Sequence, residues 1–325
     1  MKILQFIASE ELGGAERSFL ELTNELFKNN EVYALIFKNF PYKDELNCPI
    51  IEIDSYNRNN PFLYFKINKI LNRINPDIVH THSAKATEIM YRLWKIKKFN
   101  FIATKRNTKL NKIFDKVPFA VAVSKEVYDQ INNKNKALIY NGIKPKKISF
   151  VEKENIFTII SIGALRKIKG FKNLIENVSQ LDFDYRLWIV GEGEERKELE
   201  DLIKRLNLED KVKLLGYRED THILQEKSHL QIINSRREGF SRVLIEGFFY
   251  SDIVISTKVA GSNEVLTDDF LFDFGDVKEK IEDVYKNYDK YQIGFKKLKD
   301  KYQNILTLER VAQEYEKLYK EIVNV

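Results

Sequence analysis

The stretch EGFSRVLIEGFFYSD, residues 238–252, places two carboxylates eight positions apart in apolar surroundings. Glu246 is flanked by Val243, Leu244 and Ile245 on one side and by Phe248, Phe249 and Tyr250 on the other, so the element carrying it reads as buried. A buried unpaired charge costs on the order of several kcal/mol, and Glu246 therefore needs a partner. A carboxylate can accept two hydrogen bonds from a vicinal diol, which makes a ribose or a sugar hydroxyl pair one candidate. An ion pair with Arg242, four positions earlier on the same helix, is the other. Ser241 suits the N-cap of that helix. Glu238 then lies in the loop at the helix mouth and Glu246 about one turn in, so that both can point into one cleft.

Arg166, Lys167 and Lys169 follow the apolar run IFTIISIG, and Gly170 opens the next helix. Cations at a helix N-terminus oppose its dipole unless they share an anionic ligand, and a diphosphate fits. In the first half KILQFIA runs into SEELGGAER, with Gly13 and Gly14 just before a helix. Paired glycines let the backbone approach a ligand, and free N–H groups there favour an anion; a plain tight turn is the competing reading. His80 and His82 share one strand face in DIVHTH, with no third His or Cys nearby to complete a metal set. Two motifs are set aside. VGEGEE lacks the full glycine spacing of a dinucleotide fingerprint and fills its mouth with carboxylates, so it reads as a turn. Asp182 and Asp184 fall between a helix and the start of a strand, the wrong end of a sheet for a metal site.

The elements that position these residues alternate. KILQFIA, EVYALIF, DIVHTH and PFAVAVS read as strands, and AERSFLELTNELFKNN and ATEIMYRLWKIKK as amphipathic helices. That rhythm predicts a mostly parallel sheet covered by helices. IYNGIKPKK, with Asn141-Gly142 and Pro145, breaks it and is the linker candidate. The rhythm then restarts with IFTIISIG, FKNLIENVSQL, YRLWIVG, EERKELEDLIKRLNL, KVKLLG, HLQIIN, SRVLIEGFFYS and DIVIS. Helical periodicity runs from Lys278, and LERVAQEYEKLYKEIVNV closes the chain as an amphipathic helix. The fold class is α/β, two doubly wound domains in tandem, with ligands expected beyond the carboxyl ends of the strands.

At 325 residues the chain has length for two cores. Its 43% hydrophobic and 31% charged residues are those of a soluble globular protein. No apolar run approaches the ~18 residues of a spanning helix, and the opening residues lack the apolar length of a signal peptide, so a cytoplasmic location is expected. One cysteine, Cys48, excludes an internal disulfide and a cysteine-based metal cluster. The charge is uneven: residues 1–150 carry a net +10 and residues 151–325 a net −4. Between Lys85 and Lys116 ten basic residues face only Glu88 and Asp115. Such a patch suits an anionic membrane surface or a phosphorylated acceptor, and a solvated face in a Lys-rich sequence equally. No nucleic-acid module accompanies the charge, and nucleic acid is not an expected partner.

With GGAER, DIVHTHS, VAVS, YNGI, GALRKIKG, VGEGEERKELE, the E-x7-E pair Glu238 and Glu246, and AGSNEVL, nearly the whole chain resembles the retaining glycosyltransferases of family 4. The resemblance implies the GT-B fold, two Rossmann-like domains facing a cleft. It divides the chain into an acceptor-side domain 1–147, a nucleotide-sugar-binding domain 148–303, and a closing helix 304–325 that packs back on the first domain. It implies transfer of a sugar from a nucleotide-sugar to a glycan or lipid-linked acceptor, as in lipopolysaccharide assembly, by an enzyme that is cytoplasmic or peripheral on the inner membrane face. By the same resemblance Glu246 holds the ribose and Glu238 the donor-sugar hydroxyls, and the amides of Gly239, Phe240 and Ser241 face the sugar. Lys169 holds the diphosphate, Gly216 and Tyr217 lie beside the base, and Gly14 joins the donor site. His82 reaches the sugar near the reacting carbon, leaving His80 to the core. No cofactor or metal is implied; retention follows from front-face attack, with the departing diphosphate stabilised by Lys169, Arg166 and helix N-terminal amides.

Two departures from the family stand out. Where it often reads G-R-L this chain has Gly163-Ala164-Leu165, which makes Arg166 the substitute for the absent arginine. Lys105, Arg106 and Asn107 make the acceptor-side loop cationic, so an anionic acceptor is expected. Two rivals share the features: a GT-B sugar-nucleotide epimerase, and a catalytically silent carbohydrate-binding subunit.

Overall fold

The computed structural model describes residues 1–11, 13–148 and 150–324. Cα packing divides the chain into two units, Met1–Lys144 with Leu306–Val325, and Pro145–Ile305.

In the first unit the strands are β1 (Lys2–Ile7), β2 (Glu31–Phe37), β3 (Ile50–Ile53), β4 (Ile78–His82), β5 (Phe101–Lys105), β6 (Phe119–Ala122) and β7 (Lys136–Leu138). They form one parallel sheet in the order β3-β2-β1-β4-β5-β6-β7. Helices α1 (Gly14–Phe27), α2 (Pro61–Ile74), α3 (Ala84–Ile96) and α4 (Lys125–Asp129) connect them, and the closing helix α12 (Leu308–Val323) returns to the sheet. Two helix starts follow from local chemistry. Pro61 stands at the head of α2, where its missing N–H costs nothing, and the Asn60 side chain accepts from Phe62 N at 2.9 Å. Thr307 caps α12 by accepting from Arg310 N at 3.4 Å.

Side chains alternate across a sheet with period two, and here the alternation assigns each strand residue to a helix layer. Leu4, Phe6, Val79, Phe101 and Ala103 pack with Leu63, Ile67, Ile89 and Met90 of α2 and α3. Ile3, Ile7, Ile78 and Ile102 pack with Phe19, Leu20 and Leu26 of α1 and with Val311, Tyr315 and Tyr319 of α12. By the same parity Gln5, His80, His82 and Thr104 fall on the α1 and α12 side. The apolar layer there is crossed by four polar side chains.

The second unit repeats the plan with β8 (Phe157–Ile162), β9 (Tyr185–Val190), β10 (Val212–Leu214), β11 (Leu230–Ile233), β12 (Val254–Thr257) and β13 (Leu271–Phe272). The order is β10-β9-β8-β11-β12-β13, again all parallel. Its helices are α5 (Phe171–Val178), α6 (Arg196–Arg205), α7 (Thr221–Lys227), α8 (Arg242–Tyr250), α9 (Ser262–Val265), α10 (Val277–Lys286) and α11 (Tyr288–Tyr302). In each sheet the strand order reverses direction once, between β1 and β4 and between β8 and β11. Loops leaving those strands at their carboxyl ends form the crevice where doubly wound sheets take ligands. Among the described residues no helix is long and apolar enough to cross a membrane.

Candidate functional site

In the second unit the β8 and β11 exits bring the expected residues together. Lys169 ends a 3-10 turn, Lys167–Lys169, and its Nζ meets Glu238 Oε1 at 2.5 Å, an oxygen that also accepts from Ser235 Oγ at 2.6 Å. Gly170 follows in left-handed backbone, φ 68°, and a Cβ there would lie 2.2 Å from Asn234 O; no other residue lets the two exit loops approach so closely. The VGEGEE turn packs beneath the same loop. Gly191 donates to Gly216 O at 2.8 Å, and a Cβ on Gly191 would lie 2.0 Å from Gly163 O. Gly216, leaving β10, thus sits beside the β9 exit, and Tyr217 next to it is 61% exposed. Arg166 is exposed at the head of the 3-10 turn, while Leu165 is buried and carries backbone bonds to Glu192 and Glu195.

On α8 one of the two partners expected for Glu246 is found, and the expected Ser241 cap is corrected. Glu246 is not swallowed by the core. It lies with Arg242, Val243 and Phe249 on the less buried stripe of the helix, and Arg242 Nε reaches its Oε1 at 2.9 Å. Leu244, Ile245, Phe248 and Tyr250 point to the opposite stripe, because a helix turns about 100° per residue. Ser241 occupies the N-cap position in extended backbone, but its hydroxyl makes no capping hydrogen bond. Gly239, Phe240 and Ser241 are all buried just before the helix.

In the first unit His82 ends β4 and is wholly enclosed. Its Nε2 contacts Gln5 Oε1 at 2.6 Å and its Nδ1 contacts Arg106 Nη2 at 2.9 Å. A guanidinium only donates and a carbonyl oxygen only accepts, so the ring is neutral with its proton on Nε2. Burial, helped by His80 and Arg106, holds its pKa well below the usual value, and burial does the same for His80. With both nitrogens engaged, His82 itself offers no free ring nitrogen to a sugar in this conformation. The next residue, Ser83, has φ 80° and ψ 153°, a strained backbone for a residue with a side chain.

The cationic acceptor loop also needs correction, because its three residues part company. Lys105 shares strand parity with Phe101 and Ala103, so it turns into the α2–α4 layer. It is 3% exposed, its Nζ bonds Gln130 Oε1 at 3.0 Å, and burial lowers its pKa. Arg106 turns the other way, toward His82 and Asn141 Oδ1, the latter at 2.5 Å. Its Nε is buried without a hydrogen-bond partner, and burial pulls its pKa down. Asn107 is exposed and closes a turn by accepting from Lys109 N. Gly14 is the first residue of α1, with open space where a Cβ would stand, so the close backbone approach expected of it is not needed by the protein itself.

Several members of the first-unit site carried no signal in the sequence. Glu16, in the first turn of α1, is 8% exposed and close enough to raise the pKa of Arg106. An acidic residue there reads as ordinary compensation of the helix dipole. Gln5, Thr104, Tyr315 and Tyr319 read as sheet or helix interior, yet all bond to the histidines or to one another. Among the described residues no three of His, Cys, Asp or Glu are grouped so as to hold a metal.

Two family models match the chain, one over each half. Residues 12–147 match the model for glycosyltransferase family 4, and residues 143–301 the model for glycosyl transferases group 1. The chain is a GT-B glycosyltransferase. Among its relatives is the lipopolysaccharide core biosynthesis glycosyltransferase LpsD of Rhizobium meliloti, 25% identical over 85% of this chain and 84% of the relative. Another, from Campylobacter jejuni, is an N-acetylgalactosamine-N,N'-diacetylbacillosaminyl-diphospho-undecaprenol 4-alpha-N-acetylgalactosaminyltransferase, 29% identical over 81% of this chain and 83% of the relative. The crystal structure of Anabaena HepE in complex with UDP superposes with a TM-score of 0.84 at 18% identity, covering 99% of this chain and all of that one. That likeness establishes the fold of this glycosyltransferase.

Proposed function

We propose that this glycosyltransferase moves a sugar, with retention, from a nucleoside diphosphate donor to a glycan or lipid-linked acceptor in surface-glycan assembly of the lipopolysaccharide type. The Lys169–Glu238 pair carries the reading. A cation and a carboxylate meet at the switch point of the second sheet, and one ligand offering both phosphates and hydroxyls would satisfy each separately. On this account the diphosphate takes Lys169 and Arg166, Glu238 turns to a sugar hydroxyl, and Glu246 exchanges its bond to Arg242 for the ribose diol. Gly216 and Tyr217 lie beside the base. The amides of Gly239, Phe240 and Ser241 complete the donor contacts of this unit. Cations and helix N-terminal amides then stabilise charge as it develops on the departing diphosphate, so the reaction proceeds without a metal. A UDP-type donor agrees with the ligand of the HepE structure.

The acceptor reading rests on Arg106, with Asn107, at the exit of β5. A lipid-linked acceptor agrees with the names of the Rhizobium and Campylobacter relatives. It also agrees with the outer face of α2 and α3, where Phe62 and Phe65, each 70% exposed, and Ile96, 88% exposed, stand among Lys66, Lys69, Arg73, Lys95, Lys97 and Lys98. We place the anionic membrane contact on this face, since Lys105 is buried. Incubation with a panel of sugar nucleotides tests the enzyme class. Nucleoside diphosphate released faster than from buffer supports a transferase, isomerised donor an epimerase, and an unchanged donor a silent subunit.

A further inference from the structure

The buried polar side chains on the α1 and α12 face of the first sheet form one chain whose direction is fixed at its start. Arg106 donates to His82 Nδ1 at 2.9 Å, so His82 Nε2–H donates to Gln5 Oε1 at 2.6 Å. The Gln5 amide nitrogen donates to the Tyr319 oxygen at 3.2 Å, and that oxygen also meets His80 Nδ1 at 2.6 Å. His80 Nε2 meets Thr104 Oγ1 at 2.7 Å, which meets the Tyr315 oxygen at 3.0 Å. From Arg106 to the Tyr319 oxygen the direction is forced, because a guanidinium has no acceptor; beyond it the hydroxyls and His80 can run either way. Sheet register makes it feasible. Gln5 pairs with His80 and Thr104 with His82 across adjacent strands, and α12 lowers Tyr315 and Tyr319 onto that row.

We infer that Tyr319 is a positioning residue: by accepting from the Gln5 amide nitrogen its phenol oxygen holds Gln5 Oε1 against His82 Nε2, which fixes the tautomer and orientation of His82, and His82 in turn aims the Arg106 guanidinium. The inference rests on the reading of Arg106 as the acceptor-side cation. Holding a charged group through buried hydrogen bonds prevents it from relaxing away from the reacting groups. The arrangement also gives α12 a task besides covering the sheet, since its two tyrosines supply the middle and the end of the chain.

Nitrogen-15 NMR of the four histidines in the wild-type chain tests the relay without any substitution. A neutral ring protonated on Nε2, with that proton protected from exchange, is expected for His82, and a neutral ring for His80. A charged or Nδ1-protonated His82 at pH 7 overturns the relay. Tyr319→Phe keeps the ring and removes the hydroxyl. It should leave UDP affinity unchanged, mix the tautomers of His82 and lower transfer to acceptor by about tenfold or more, as small displacements at a reacting site do. Full transfer with an unaltered His82 spectrum in that variant would overturn the positioning role. Arg106→Ala separates the two layers: loss of transfer there with none in Tyr319→Phe refutes the relay alone, whereas full transfer in Arg106→Ala refutes the acceptor reading and the positioning role with it.

Discussion

Lys169 and Glu238 neutralise each other at 2.5 Å with side chains 23% and 12% exposed, so neither is a bare charge awaiting a ligand. On the proposed function a diphosphate competes with Glu238 for Lys169, and the ammonium then serves the phosphates. Lys169→Ala should therefore weaken binding of UDP far more than binding of uridine, measured by calorimetry; equal losses would contradict a phosphate role. Glu246 differs, because its partner Arg242 lies on its own helix, and an i,i+4 pair at a partly exposed site contributes less than about 1 kcal/mol. Glu246→Ala should leave the urea midpoint almost unchanged while abolishing transfer. A large loss of stability with donor affinity intact in the folded fraction would make Glu246 structural. Both residues were legible in the sequence from their spacing and the strands preceding them. What the sequence obscured was which way each points, since helix phase, and not apolar neighbours, decides the exposure of Glu246.

At the scale of elements, β4 and α12 share the burden of two enclosed imidazoles. His80 and His82 are held neutral by burial, their folded pKa values lying well below 6.5. A depressed histidine pKa contributes stability above the unfolded value that is lost as pH falls through 6.5 toward the folded value. The loss can reach about 1.4 kcal/mol per pH unit for each histidine. His222 and His229, also lowered by burial, act in the same direction. The urea midpoint should thus fall between pH 7.5 and 5.5; a flat or rising midpoint would contradict the neutral assignment. The outer face of α2 and α3 makes a separate prediction. Sedimentation with anionic vesicles should exceed that with neutral ones, decline with salt, and drop when Phe62 and Phe65 become Ser. Cations near such a surface contribute about 1 kcal/mol each, and indifference to lipid charge would leave a soluble acceptor. Strand and helix rhythm made most elements readable, and IFTIISIG and EVYALIF fall on β8 and β2 with at most two residues to spare. The short edge strand β3 and helix α2 went unread, although α2 buries Leu63, Ile67, Leu71 and Ile74 at helical spacing. Lys105 was misjudged because charge alone does not reveal strand parity.

At the scale of the whole molecule, the same strand order appears twice, and each switch point holds its own constellation: Lys169 and Glu238 in one unit, His82, Arg106 and Glu16 in the other. The two-domain plan was visible because the βαβ rhythm stops at IYNGIKPKK and restarts. The hydrogen-bond relay was not, because Tyr319 lies 314 residues from Gln5 and 239 from His80 in the chain. Local patterning carries no trace of such a pairing. On the proposed function, this GT-B glycosyltransferase cleaves a nucleotide-sugar with retention at the site built around Lys169 and Glu238. Proton NMR of the anomeric region during hydrolysis of a UDP-sugar tests it most directly. UDP should appear together with free sugar whose first-formed anomer has the configuration of the donor, and Glu238→Gln should slow both signals alike. An inverted first anomer, an isomerised donor, or release unaffected by Glu238→Gln would contradict it.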